Sequence, residues 1–225
     1  LFPYTTLFRS ASETNWFIIP GDDDVIYSEK LDYIMQCIEK YSDCGFLAFG
    51  YDIINEENKK RKGWCIQEDR FFDKTDAFYH IQRTIPYRCP AIIINTAKSR
   101  IIGNYDASFA YTASDSLYLQ HLAMLYPIVE ISEIIAGYRV WENSFTSLKI
   151  ASVEWFDQLE LWLTKLSTLI DDNKIKGVNK KRLHDQIIID NLLFAFSISK
   201  SFKTKVTLLS SIGWPMRIGL SKNGN

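Results

Sequence analysis

Trp16-Phe17-Ile18-Ile19-Pro20-Gly21-Asp22-Asp23-Asp24-Val25-Ile26 places three consecutive aspartates at the end of an apolar run, and apolar residues resume at once. Three adjacent like charges repel one another and resist desolvation, so a bound cation is the simplest partner that makes the arrangement favourable. Trp16 to Ile19 suits a short buried strand, and Ser28 offers an N-cap for a helix with Leu31, Ile34, Met35 and Ile38 on one face. Strand, acidic loop and amphipathic helix, in that order, suit a ligand site at the carboxyl end of a strand in an open α/β sheet. A plainer reading stands beside this one. Pro-Gly is a strong turn signal and aspartates bond nearby backbone amides, so the acids could serve only to solvate a strand-to-helix loop.

The rest of the chain alternates in the same manner up to about residue 150. Gly45 to Ile54 reads as a second strand through Phe46-Leu47-Ala48-Phe49, and the charged stretch Asn55 to Lys62 as a solvated connection. Residues 73–84 suggest a short helix. Pro86 and Pro90 then bracket a stiff loop, Tyr87-Arg88-Cys89, that leads into a β-prone run at Ala91 to Ile94. Thr96 is placed to cap a brief helix ending at Gly103, and Ser114 to cap a helix through Leu117, Leu122 and Leu125, stopped by Pro127, with Asp115 in its first turn. Ile128 to Ile131 and Ile134 to Val140 read as two strands. From Val153 onward the pattern is helical, with stripes at Trp155, Leu159, Trp162, Leu163 and Leu166, then Ile187 to Phe196, and an apolar segment Val206 to Leu220 broken at Gly213-Trp214-Pro215.

A chain of 225 residues with 47% hydrophobic and 24% charged residues has an ordinary globular composition. The net charge of -1 hides a basic end: residues 173–225 hold ten Lys or Arg against Asp185 and Asp190. Cys37, Cys44, Cys65 and Cys89 form no C-x-x-C pair and have no matching histidine spacing, which argues against a zinc site or a disulfide framework and fits a reducing cytoplasm. His80, His121 and His184 match no motif. The acidic body and the lack of any recognition motif disfavour nucleic acid as a partner.

The aspartates at a strand end, Gly103-x-Tyr105-Asp106, Ser114-Asp115 with Leu122-Ala123, and Tyr138-Arg139-Val140-Trp141-Glu142-Asn143-Ser144 stand in an order and spacing that resembles a family 2 glycosyltransferase over roughly residues 15–148. Each motif alone is common; four in sequence are more specific. The resemblance implies an α/β fold, the Rossmann-like mixed sheet of the A-type glycosyltransferases, incomplete at its N-terminus and followed by an α-helical C-terminal region. It divides the chain into a partial catalytic domain at 11–150 and a helical basic region at 151–225.

The resemblance also implies transfer of a sugar from a nucleotide diphosphate donor to an acceptor hydroxyl, with inversion. Mg²⁺ or Mn²⁺ would be held by Asp22 and Asp24, Asp23 would touch the ribose or donor sugar, and Asp115 would be the general base. A first-turn acid favoured by the helix dipole is the plainer reading of Asp115 and is compatible with the base role. Arg139 is a candidate for the diphosphate, with a structural arginine as the alternative. Two departures from the family pattern stand out: Ser114-Asp115 replaces Glu-Asp, and Trp141, which cannot ligate a metal, replaces a histidine after Tyr-Arg. The implied acceptor is a saccharide or a lipid-linked saccharide in bacterial surface polysaccharide synthesis. The implied location is the cytoplasm, with peripheral contact to the inner face of the membrane through the basic C-terminal region.

Leu1 to Ser10 matches, at every position, the translation of a common short-read sequencing adapter. Natural sequence is therefore expected to begin near Ala11, with the first βαβαβ half of the fold upstream of it and the fragment at most feebly active. Two other classes compete: a non-enzymatic membrane-surface or interaction module built on the basic tail, and a sugar nucleotidyltransferase. The second would ordinarily carry a glycine-rich, lysine-bearing phosphate loop, and none occurs in this chain.

Overall fold

The computed structural model describes residues 13–103, 105–106, 108–109, 113–141 and 152–198. Among the described residues seven strands form one mixed sheet: β1 (Trp16–Phe17), β2 (Val25–Ile26), β3 (Phe46–Ile54), β4 (Lys60–Trp64), β5 (Arg70–Phe72), β6 (Ile92–Asn95) and β7 (Ile128–Arg139). The spatial order is β1-β6-β3-β7-β2, with β4 added to β3 and β5 added to β7. Only β3 and β7 pair in parallel; every other described pairing is antiparallel. The helices are α1 (Leu31–Lys40), α2 (Ala77–Ile81), α3 (Thr96–Ile102), α4 (Ser114–Leu125), α5 (Val153–Asp172) and α6 (Lys180–Ile198).

The near-continuous apolar run of β3 belongs to a strand covered on both faces. Phe46 and Ala48 join one core cluster, together with Ile92 and Ile94 of β6 and the buried faces of α2, α4, α5 and α6. Leu47, Phe49 and Tyr51 point the other way, into a second cluster with Ile93, Val129, Ile131 and the α1 residues Ile34 and Cys37. This alternation makes three layers, α1 on one face of the sheet and the other helices on the opposite face. The architecture is the expected α/β one with a helical C-terminal region.

Several local expectations change. Of the run Trp16–Ile19 only Trp16–Phe17 is a strand, half-buried at the sheet edge, where it pairs with β6 alone. The inner face of α1 is Ile34 and Cys37; Leu31 and Met35 are 51% and 55% exposed. Ser28 lies in a 3₁₀ turn ahead of that helix and does not cap it. Asn95 caps α3 in place of Thr96, its side chain accepting from the Lys98 amide at 3.2 Å. Ala113, at φ 68°, precedes α4 where Ser114 was expected to cap.

Part of the charged stretch after β3 is itself a strand. β4 pairs antiparallel with β3, and its lysines and arginine face solvent along an exposed edge, where charge discourages pairing with other chains. Gly63 is required there, since a Cβ would stand 2.4 Å from the Tyr51 carbonyl oxygen. The two strands read at 128–131 and 134–140 are one. β7 keeps its pairing with β3 across a bulge at Ser132 and Glu133. Asp69 holds that bulge by accepting from the Ser132 amide and hydroxyl, both at 2.8 Å, and Lys30 pairs with Glu133 at 2.7 Å.

The C-terminal helices pack on the sheet. Gln120 of α4, fully buried, donates to the carbonyls of Gln82 and Ile81 and accepts from Trp162 of α5 at 2.9 Å. Arg83 makes a two-pronged ion pair with Asp190 of α6, each contact 2.7 Å. No helix among the described residues is long and apolar enough to cross a membrane. The adapter-like residues 1–10, the motif residues Glu142-Asn143-Ser144, the basic tail beyond residue 198 and the segment Val206 to Leu220 lie outside the described residues.

Candidate functional site

The aspartate loop between β1 and β2 closes on itself. The Gly21 amide donates to Asp24 Oδ2 at 2.8 Å, and the Asp24 amide returns to the Gly21 carbonyl at 3.3 Å. The Arg139 amide, at the end of β7, donates to Asp24 Oδ1 at 3.0 Å. Each Asp24 oxygen is therefore oriented by a backbone N–H. Burial nevertheless lifts its pKa above the ordinary carboxylate value; the two amide hydrogen bonds and the Arg139 charge oppose the shift, and the Asp23 charge adds to it. Asp22 and Asp23 are exposed, and Asp23 Oδ2 accepts from the Trp141 indole at 3.2 Å.

Arg139 braces this loop. Its Nε donates to the Asp23 carbonyl at 2.7 Å, its Nη2 to Asn58 Oδ1 at 2.7 Å, and its Nη1 to the Asn55 carbonyl. Three guanidinium hydrogens thus tie the acidic loop to the β3–β4 connection, the arrangement of a structural arginine. Trp141 supplies a further tie to the same loop.

Asp115 comes to the same end of the sheet from the start of α4, where its Oδ1 accepts from the Ser116 amide at 2.8 Å. The thiol of Cys89 stands 3.9 Å from Asp115 Oδ2. Burial pushes the Cys89 thiol pKa up, the negative charges of Asp115 and Asp24 push it further, and Arg88 opposes them. The Tyr138 phenol is raised by burial as well, and the same three groups, Arg88, Asp24 and Asp115, act on it together with Cys89. The Arg139 amide next to Tyr138 binds Asp24 at 3.0 Å, Arg88 lies 5.6 Å from the Tyr138 ring, and Cys89, next to Arg88, stands 3.9 Å from Asp115, so acids far apart in sequence lie near Cys89 and Tyr138.

Sequence reasoning missed Arg88 and Cys89, although the flanking Pro86 and Pro90 marked their loop as stiff. The Arg88 guanidinium lies 5.6 Å from the Tyr138 ring and 5.9 Å from the Tyr51 ring, and its Nη1 donates to the Tyr87 carbonyl at 2.9 Å. The loop is anchored from beneath. Tyr51 Oη donates to the Pro86 carbonyl at 3.1 Å, and Tyr87 Oη to Glu130 Oε1 at 2.7 Å. Glu130, on β7 and 2% exposed, also meets His80 Nε2 at 2.7 Å. Burial alone would raise its pKa; the bonds from His80 and Tyr87 and the charges of His80 and Arg70 outweigh that and hold it below its ordinary value.

Aspartate oxygens are the hard donors that Mg²⁺ and Mn²⁺ take, and Mg²⁺ is ordinarily held by one or two carboxylates while phosphates and waters complete its shell. Among the described residues no group of three or more His, Cys, Asp or Glu side chains could cage a metal. The loop residues fit such a partial shell: a cation would relieve the unfavourable burial of the Asp24 charge beside Asp23. A separate cavity of about 310 Å³ lies along another face of α4, lined by Asp106, Tyr118, His121 and Lys165, and includes neither Asp24 nor Asp115.

The sequence matches no family model and no curated protein. Among solved structures, the chain is similar to the crystal structure of residues 1–349 of TarS from S. aureus, a glycosyltransferase, with a TM-score of 0.59 at 13% identity. The match covers 92% of this chain and 57% of that one, so the chain spans little more than half the length of the structure it resembles. At this identity the likeness is one of fold.

Proposed function

We propose that this chain carries the metal and acceptor side of a glycosyltransferase that moves a sugar from a nucleotide diphosphate donor to an acceptor hydroxyl with inversion. The observation that carries the reading is the chain of contacts that sets Asp24 beside the Tyr138-Arg139 backbone, Arg88 against the Tyr138 ring, and Asp115 against the thiol of Cys89. The glycosyltransferase-like fold supports it.

In this reading Asp115, exposed and held by the Ser116 amide, accepts the proton of the acceptor hydroxyl. The freed oxygen attacks the anomeric carbon on the face opposite the diphosphate. The anomeric C–O bond to the phosphate breaks, its electron pair stays with the departing nucleoside diphosphate, and the anomeric configuration inverts. Asp24, with Asp22 beside it, would hold Mg²⁺ or Mn²⁺, which when bound supplies positive charge against the leaving group. Asp23 lies at the donor side, its backbone carbonyl fixed by Arg139. The acceptor is a saccharide or lipid-linked saccharide of a bacterial surface polymer, met at the inner face of the membrane.

Mn²⁺-dependent binding of UDP or dTDP tests the reading. Wild-type protein binds the nucleotide only with the metal, Asp24→Ala abolishes that dependence, and Asp115→Asn leaves it intact. Binding indifferent to both Mn²⁺ and Asp24 would count against the proposed site.

A further inference from the structure

We infer that Arg88, and not Arg139, is the cation that meets the diphosphate of the donor; this rests on the sugar-transfer reading above and names a further residue for it. A leaving diphosphate calls for a positive group that stands at the site, is held in place, and is not already neutralised by a protein carboxylate. Among the described residues, Arg139, Lys60 and Arg88 can be compared.

Arg139 has given three guanidinium hydrogens to Asp23, Asn55 and Asn58, and its backbone amide to Asp24. Moving it to a ligand would undo the loop that presents Asp24. Lys60 sits 3.9 Å from Asp52 and 3.8 Å over the Tyr27 ring, so a carboxylate already partners it. Arg88 differs on both counts. Its described hydrogen bond is the one to the Tyr87 carbonyl, and among the described residues no carboxylate oxygen lies within the 4.0 Å of an ion pair. Its charge bears on both Tyr138 and Cys89, the two groups on which Asp24 and Asp115 also act. It lies 5.6 Å from the Tyr138 ring, whose neighbour Arg139 binds Asp24 through its amide, and it precedes Cys89, whose thiol stands 3.9 Å from Asp115, so it is placed to meet a phosphate linked to the transferred sugar.

The residue is held without being neutralised. Tyr51 and Tyr138 offer ring faces to the guanidinium, and the Ala91 amide donates to the Arg88 carbonyl at 2.9 Å. Tyr87, the preceding residue, is locked by Glu130 and packs edge-on against Trp64 and Phe46 at ring separations of 5.1 and 5.9 Å. With one N–H spent on Tyr87, the remaining hydrogens leave a fork that matches two phosphate oxygens. As the anomeric C–O bond breaks and charge gathers on the phosphate oxygen, these hydrogen bonds strengthen, so Arg88 acts on the leaving group.

The test uses inorganic pyrophosphate with Mg²⁺, which carries the diphosphate chemistry without a base or sugar, titrated into the full chain by calorimetry. Wild type binds; Arg88→Met weakens binding by about tenfold or more while Arg88→Lys keeps part of it. The thermal midpoint stays at the wild-type value in Arg88→Met, which shows that the loop still stands. Equal pyrophosphate affinity in wild type and Arg88→Met overturns the inference and leaves the Asp24 and Asp115 reading in place. Failure of wild type to bind pyrophosphate overturns it too, and Mn²⁺-dependent binding of UDP then decides separately whether the broader reading falls with it.

Discussion

Tyr87 donates its phenolic hydrogen to Glu130 at 2.7 Å, joining the Pro86–Pro90 loop to a buried carboxylate 43 residues further along the chain. That one bond connects the parallel centre of the sheet to the loop carrying Arg88 and Cys89. An ionised group so deeply buried persists only because His80, Tyr87 and Arg70 compensate it.

Because the folded pKa of Glu130 lies below its ordinary value of 4.5, its contribution is fully present above that value and is lost as pH falls through the folded pKa. Glu130→Gln should therefore cost about 2–4 kcal/mol at neutral pH, and the gap to wild type should narrow on acidification. Urea denaturation of both proteins at pH 7 and near pH 4 measures it; a gap that widens in acid would refute the assignment.

Gln120 links three helices from a fully buried position. Gln120→Leu strands the Trp162 indole N–H and the Gln82 carbonyl in the core, at a cost of about 2 kcal/mol. Since the buried residues of α5 and α6 share a cluster with β3 and β6, fluorescence and circular dichroism should lose signal together in one transition, for wild type and variant alike. Separate transitions for sheet and helices would disprove the shared core.

Asp24 is an acid whose charge the fold disfavours. With its folded pKa above the ordinary 3.8, the charged form carries a penalty at neutral pH that is relieved as pH falls into the range between that value and the folded pKa. Asp24→Asn should thus be as stable as wild type or slightly more so in metal-free buffer. Mn²⁺ should raise the thermal midpoint of wild type and leave that of Asp24→Asn unmoved, as binding to the folded state alone requires. An equal rise in both would place the metal elsewhere.

The parts of the fold that sequence revealed are those fixed by local pattern. β3 and β6 declared themselves by unbroken apolar runs, and α4 by its spacing and by Pro127. β4 and β5 did not, because β4 is mostly exposed charged residues, β5 is only three residues long, and both owe their strand character to backbone pairing with β3 and β7. β7 looked like two strands because Ser132-Glu133 interrupts it, and what satisfies the bulge, Asp69 and Lys30, lies far off in sequence. Asp24 and Asp115 were legible as residue types in a spacing; their convergence was not. Arg88 and Arg139 illustrate the limit, since which arginine is spent on the protein depends on Asn55, Asn58 and the Tyr87–Glu130 bond, none of which a motif encodes.

Paramagnetic broadening by Mn²⁺ decides whether a cation at the aspartate loop shares one site with Asp115. With substoichiometric Mn²⁺ and a nucleoside diphosphate, amide signals of Asp24, Cys89, Asp115 and Tyr138 should vanish together. Those of Glu160 and His184, paired at 2.9 Å between α5 and α6, should persist, and Asp24→Asn should restore the lost signals. Broadening that leaves Asp115 sharp while Asp24 disappears, or that ignores both, would contradict the account.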